Sequence, residues 1–374
     1  MPSLHHMHAL YDFAHAADQV LPKLVRDYIN GGVEDEQALA RNLDAFAETL
    51  LLPRYLMDVV EPNIQVQLWG QSYARPFGIA PMGLQGFARP NMETMLAQAA
   101  HDAQIPFVLS GAGTCTVEQI AETAAPYSWF QLYIARDRNV SRDLMRRADK
   151  AGIKVLILTV DAPVHSKRER DWRNGFGPNP KLGMRIIIDM LLHTRWLIRQ
   201  LIHGLPVFAN WAPYAPTQKR RDINHFFTQQ IPFSQTWEDV RWLRDQWPGQ
   251  LVLKGILHPS DVIKSLECQV DGIIVSNHGG RVLDAAPSAL HQLKLIRNEL
   301  GPEPVLMLDS GLRRGSDVLK AYQAGANFVW IGRPALHATA AFGLPGAQKL
   351  IDILEEEIRL CMAQCGWQTI SGTP

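Results

Sequence analysis

No stretch of this chain reaches the roughly 18 consecutive apolar residues that a membrane span requires. Cysteine is scarce: the four present, Cys115, Cys268, Cys361 and Cys365, form no CxxC pair and no zinc-type spacing. That leaves no disulfide framework and no expected metal site, and it fits a reducing, cytoplasmic compartment. Charge of one sign is missing too, since 37 Lys and Arg balance 37 Asp and Glu, so nucleic acid is not an expected partner. No GxGxxG follows an early strand, which argues against a nicotinamide dinucleotide. The opening residues lack a secretory pattern, and His5, His6 and His8 read as a solvated tail.

What the chain has is a series of short apolar runs rich in β-branched residues. They end at Pro81, Ser110, Tyr133, Asp161, Lys254, Asn277, Ser310 and Gly332, and helical patterns lie between them. Nearly continuous apolar runs are what strands buried on both faces of a parallel sheet need. Strand and helix alternating eight times predicts an α/β fold, a (β/α)8 TIM barrel with an N-terminal helical segment; a doubly wound open sheet is the rival. The expected organisation is one domain over residues 1–374, with an insertion at 175–233 between strands 4 and 5. Polar residues collect at the strand ends: Gln131, Tyr133, Thr159, Asp161, Lys254, Ser276, Asn277 and Asp309. In such barrels that rim carries the active site.

The last two strand ends release Gly311, Arg313 and Arg314, then Gly332 and Arg333. Glycines that let backbone approach and guanidinium forks suit a phosphate after strands seven and eight, although Ser316 and Asp317 also read as a helix cap. With Lys254 on strand five, a cation beside an isoalloxazine, the expected cofactor is FMN. A Schiff-base lysine is the alternative reading of that residue.

The runs "LPKLVRDYINGGVEDE", "FQLY", "LTVDAP", "KRERD", "LVLKG", "SNHGGR", "DSGLRRGSDV" and "IGRP" occur in order along nearly the whole chain. Together they resemble the FMN-dependent L-2-hydroxy-acid dehydrogenases and oxidases, and most of all the membrane-associated mandelate and lactate dehydrogenases. His278 suits a base, because imidazole titrates near neutral pH, and Asp161 would stabilise its cation. Arg281 suits a bidentate hold on the substrate carboxylate, with Arg168 as the second cation and Tyr28 and Tyr133 as hydroxyl donors. The resemblance places Pro81, Met82, Gly83, Ser110, Gln131, Thr159, Lys254 and Ser276 against the flavin. It places Asp309, Gly311, Arg313, Gly332 and Arg333 on the ribityl chain and phosphate. Glycolate oxidases carry tryptophan where this chain has the small Ala112 and alanine where it has Gly83; both departures favour an aromatic or longer 2-hydroxy acid. Whether the α-hydrogen leaves as hydride or proton is left open by these residues.

Between strands four and five, residues 181–213 read as one amphipathic helix followed by an apolar turn. From Lys181 to Arg221 there are seven Lys or Arg and one acidic residue. A wide apolar face with basic flanks and tryptophan is the pattern of a helix lying in a membrane interface; a helix sealing the barrel or an oligomer contact is the plainer reading. The expectation is peripheral contact with the inner face of the cell membrane and electron delivery to a quinone or another respiratory acceptor. A soluble oxidase forming hydrogen peroxide is the alternative. The family also implies a homo-oligomer.

Overall fold

The computed structural model describes residues 3–175, 183–231 and 234–370. A short antiparallel hairpin comes first, β1 (Val66–Leu68) and β2 (Gln71–Tyr73). Eight parallel strands follow: β3 (Phe77–Ile79), β4 (Phe107–Ser110), β5 (Ser128–Leu132), β6 (Val155–Thr159), β7 (Gln250–Ile256), β8 (Gly272–Val275), β9 (Leu306–Leu308) and β10 (Phe328–Ile331). They close into a barrel in chain order, with β10 pairing β3. Each predicted apolar run is one of these strands. All residues of β3 to β6 and of β8 to β10 are buried, which is why their sequences show no polar alternation.

The hairpin was not predicted. Its turn places Trp69 and Gly70 at φ 48° and 80°, so the Trp69 ring folds back on the barrel. A Cβ on Gly272, the first residue of β8, would stand 2.8 Å from that ring. Trp129, near the start of β5, lies 5.8 Å from it between ring centroids and 4.9 Å from Trp330. The hairpin therefore stoppers the N-terminal mouth with aromatic rings, and the opposite rim is left to the loops.

One irregularity in the ladder shapes that rim. The β7–β8 register shifts between Lys254 and Ile256, at Gly255 with φ 103°. A Cβ there would stand 2.5 Å from the Asp161 side chain. Glycine gives the bulge both its backbone angle and the space for that carboxylate.

The segment after β6 differs from its sequence reading. The single predicted helix is two, Met184–Leu192 and Thr194–His203, broken at His193, whose φ of −89° and ψ of 58° are not helical. Lys181 and Leu182, included in that reading, lie outside the described residues. A 3-10 turn, Ala209–Tyr214, then tucks Trp211 into the molecule, where its Nε1 donates to Gly111 O at 2.7 Å. No helix among the described residues is long and apolar enough to cross a membrane.

Candidate active site

The residues that end β8 build the centre of the rim. Ser276 Oγ accepts from the His278 amide at 3.0 Å and from Lys254 Nζ at 2.9 Å. Asn277 and Asn42 exchange side-chain amide bonds at 2.8 and 2.9 Å, which ties the loop to helix Gln37–Glu48. His278 then takes φ 57°, a left-handed conformation that costs energy for a side chain other than glycine. Gly279 and Gly280 continue at φ 65° and 74°, and a Cβ on Gly280 would stand 2.6 Å from Leu39 N. The strain is held by its surroundings, and Val33 N also donates to Gly280 O at 3.0 Å.

His278 Nδ1 stands 2.9 Å from Asp161 Oδ1. A carboxylate can only accept here, so Nδ1 carries the proton and Nε2 is the basic nitrogen. Nε2 makes no hydrogen bond among the described residues. Burial pushes the Asp161 carboxyl up, but His278 and then Lys254 outweigh it and hold the pKa below its ordinary value. Asp161 Oδ2 is buried without a partner, so all its hydrogen bonding goes to the imidazole. Lys254 is itself pulled two ways. Burial disfavours its charge, yet Asp309, at 3.0 Å, and Asp161 raise its pKa overall.

The carboxylate-binding candidates also meet. Arg281 is half-buried, and its Nη1 donates to the carbonyls of Tyr28 and Gly31 at 2.8 and 2.9 Å, at the C-terminal end of helix Lys23–Asn30. Its Nε and Nη2 have no partner among the described residues, which leaves one edge of the fork for an anion. Burial, then Arg168, lowers its pKa to about 10. The Tyr28 ring lies 5.2 Å from the Arg281 guanidinium and 5.6 Å from that of Arg168. Tyr133 is half-buried beside Asp161, Tyr28, Arg168 and Arg281, and desolvation is the largest influence raising its hydroxyl pKa. Gly83 and Ala112, the two departures noted in the sequence, are neighbours: a Cβ on Gly83 would stand 3.0 Å from that of Ala112.

The expected FMN contacts line the same rim. Pro81, Met82 and Gly83 follow β3, and Thr159 ends β6, buried. Gln131 Oε1 accepts from Ser110 Oγ at 2.9 Å and Gly111 N at 3.3 Å, while Gln131 Nε2 is buried with no acceptor. A Cβ on Gly332 would meet only Met82 Sδ, at 3.9 Å, so the end of β10 faces space. Gly311 follows Asp309 at φ 107°. Arg333 donates to the carbonyls of Ile29, Gly31 and Gly279, and Arg313 to Leu312 O. Neither forms an ion pair among the described residues, and burial lowers both their pKa values. Two half-buried guanidiniums with no ion-pair partner among the described residues and a buried amide without an acceptor suit a phosphate at one end and a heteroaromatic ring edge at the other. The site fits FMN.

A cavity of about 230 Å³ opens beside Arg313 and Arg333, lined also by Tyr11, Asn30 and His337. A larger depression, about 370 Å³, runs along Asp352, Glu355 and Arg359 and contains none of the predicted site residues. One prediction at this end needs correction. The cap of helix Gly315–Gln323 is not Ser316, which lies inside it; Asp317 Oδ2 accepts from the amides of Arg313 and Arg314 at 2.8 and 3.0 Å. Asn42, Ser310 and Asp171 were missed as neighbours of the site. Ser310 Oγ accepts from Gly279 N at 3.0 Å, a link that joins two loops far apart in sequence.

Residues 17–373 match the family described as FMN-dependent dehydrogenase. The chain is 36% identical over 362 residues to an L-lactate dehydrogenase of Caulobacter vibrioides, covering 96% of this chain and 94% of the other. It is 37% identical over 360 residues to an (S)-mandelate dehydrogenase of Pseudomonas putida, covering 96% and 91%. Among solved structures, the monotopic membrane protein (S)-mandelate dehydrogenase superposes with TM-score 0.93 at 35% identity, covering 98% of this chain and 97% of that one. A mandelate oxidase superposes with TM-score 0.83 at 33% identity, covering 97% and 96%.

Proposed function

The chain belongs to the FMN-dependent dehydrogenase family, and on that premise we propose that it oxidises an L-2-hydroxy acid of the mandelate or lactate kind to the 2-oxo acid. It is an FMN-dependent 2-hydroxy-acid dehydrogenase. The observation that carries the finer reading is the half-buried His278–Asp161 pair, at 2.9 Å, set beside two guanidiniums and two tyrosines. The free edge of Arg281 and the guanidinium of Arg168 hold the substrate carboxylate, and Tyr28 and Tyr133 orient its oxygens. His278 Nε2 takes the proton that the substrate gives up, and Asp161 stabilises the resulting imidazolium through the bond it already makes to Nδ1. FMN, held by Lys254, Gln131, Arg313 and Arg333, supplies acceptance of two electrons when bound.

Electrons go on to a quinone or another respiratory acceptor, delivered at a membrane surface. Support comes from the two insertion helices, whose Met184, Leu192, Leu201 and Ile202 are 71–75% exposed, and from the monotopic neighbour. Reduction of oxygen to hydrogen peroxide is the second reading, favoured by the mandelate oxidase likeness. A homo-oligomer is the matching proposal for another surface, the segment between helix Gln37–Glu48 and β1 on which Leu50, Leu52, Tyr55, Leu56 and Val60 are exposed.

Anaerobic mixing of the yellow holoenzyme with a panel of 2-hydroxy acids tests the reaction. Bleaching by an aryl or longer L-acid, and not by its D-enantiomer, is expected; no bleaching across the panel refutes the reading. Slow re-oxidation in air with fast re-oxidation by a soluble quinone separates the dehydrogenase from the oxidase.

A further inference from the structure

Asp171 has no place in the roles assigned so far. It is buried on the short helix Glu169–Arg173, three residues beyond Arg168. Its Oδ2 lies 3.3 Å from Arg168 Nη1 without hydrogen-bond geometry, so the contact is an ion pair and not a directed bond. It is also the only partner to which the Arg168 guanidinium is bound, by ion pair or hydrogen bond, among the described residues. The other charges facing Asp171 are Arg170 on its own segment, Asp27 on helix Lys23–Asn30, and Arg281 on the rim loop. Burial raises the Asp171 pKa, and Arg168 and Arg281 oppose that shift. The clamp thus holds two guanidiniums around the Tyr28 ring and one loosely paired carboxylate.

We propose that Asp171 is the positioning residue of the carboxylate clamp: it pairs with Arg168 until substrate arrives and then yields that guanidinium to the substrate carboxylate. The proposal rests on the clamp reading above. It has two consequences that pull in opposite directions. A resident anion competes with any incoming carboxylate, so its presence weakens simple binding. The same anion aims Arg168, so its presence speeds turnover of an acid that must be held in one orientation.

Asp171→Asn in the FMN-loaded full chain keeps the volume and removes the charge. Phenylacetate, which has no 2-hydroxyl, serves as the probe, and its dissociation constant is read from the perturbed flavin spectrum. The variant is expected to bind phenylacetate at least about threefold more tightly, because a competing charge is gone. Its kcat with the acid that reduces the wild type fastest is expected to fall roughly tenfold, because Arg168 is no longer aimed. Asp171→Glu should return phenylacetate affinity to within about twofold of wild type. In an Arg168→Gln background, Asp171→Asn should change neither quantity further, since the two residues act as one unit.

Tighter binding with slower turnover supports the proposal; binding that is unchanged or weaker overturns it, as does unchanged turnover. If Arg168→Gln alone leaves both quantities unchanged, the clamp reading fails instead. Asp171→Ser replaces the asparagine variant if that one does not retain flavin, and loss of flavin from both assigns Asp171 a purely structural role and overturns the proposal.

Discussion

The rim loop at residues 276–281 and the insertion at 184–214 both depart from what a barrel needs in order to fold, and they depart in opposite ways. The loop puts a histidine at φ 57° beside two glycines, Gly279 against the Arg333 guanidinium and Gly280 against Leu39, and ties its backbone down from inside the molecule while leaving His278 Nε2 and one edge of Arg281 open. The insertion satisfies its polar groups on one side only. Trp196 Nε1 donates to Phe87 O at 2.8 Å and Gln200 Nε2 to Gly86 O at 3.0 Å, while Ile198, Leu201 and Ile202 on the same helix face outward. A region complete in itself is shaped for a small molecule that enters it. A region docked on one side and apolar on the other needs a second surface, and its basic flanks select what kind.

The comparison breaks first at His278. Replacing it with asparagine should leave the yellow colour, because no flavin-holding group is touched, and slow anaerobic flavin reduction by about 10² to 10⁴, the range for losing a general base. Stopped-flow absorbance measures both. Reduction within tenfold of wild type would mean that the strained loop is not the reacting part of the molecule.

Arg281→Lys is the next largest effect. Lysine can reach one of the carbonyls at Tyr28 or Gly31 but cannot offer a second parallel edge to the substrate. Steady-state kcat/KM should fall about 10- to 100-fold, with part of the loss in kcat because the acid is held less well in line. A pure KM change would recast Arg281 as a charge that attracts and does not orient.

How far these regions could be read from sequence follows from where their constraints lie. The eight strands were legible because burial on both faces forces unbroken apolar runs such as "VLILT" and "GIIV". The His278 site was legible because its residues cluster at strand ends, which close together whatever the helices do. The hairpin was not, since three-residue strands carry too little pattern and Trp69 acts only through its contact with the mouth. The break at His193 was hidden because apolar periodicity continues across it. Asp171 escaped notice for a different reason: beside Arg168 in sequence it reads as a solvated i,i+3 pair, and only the fold buries it against Arg281 and Asp27.

The smallest catalytic effect belongs to the insertion, and there the comparison is sharpest. Leu201→Asp with Ile202→Asp puts two charges on the outward face of helix Thr194–His203 without touching Trp196 or Gln200, which dock it. Both positions are about three-quarters exposed, so each change should alter stability by no more than about 0.5 kcal/mol. Turnover with a soluble artificial acceptor should stay within about twofold, since neither side chain belongs to the rim site. Co-sedimentation with vesicles containing anionic lipid should fall sharply, because two carboxylates now face the headgroups in place of two apolar side chains. Unchanged sedimentation would make the outward face a contact between protein surfaces. Turnover lost together with sedimentation would mean that the two regions are one device, with the insertion closing the site that the rim loop opens.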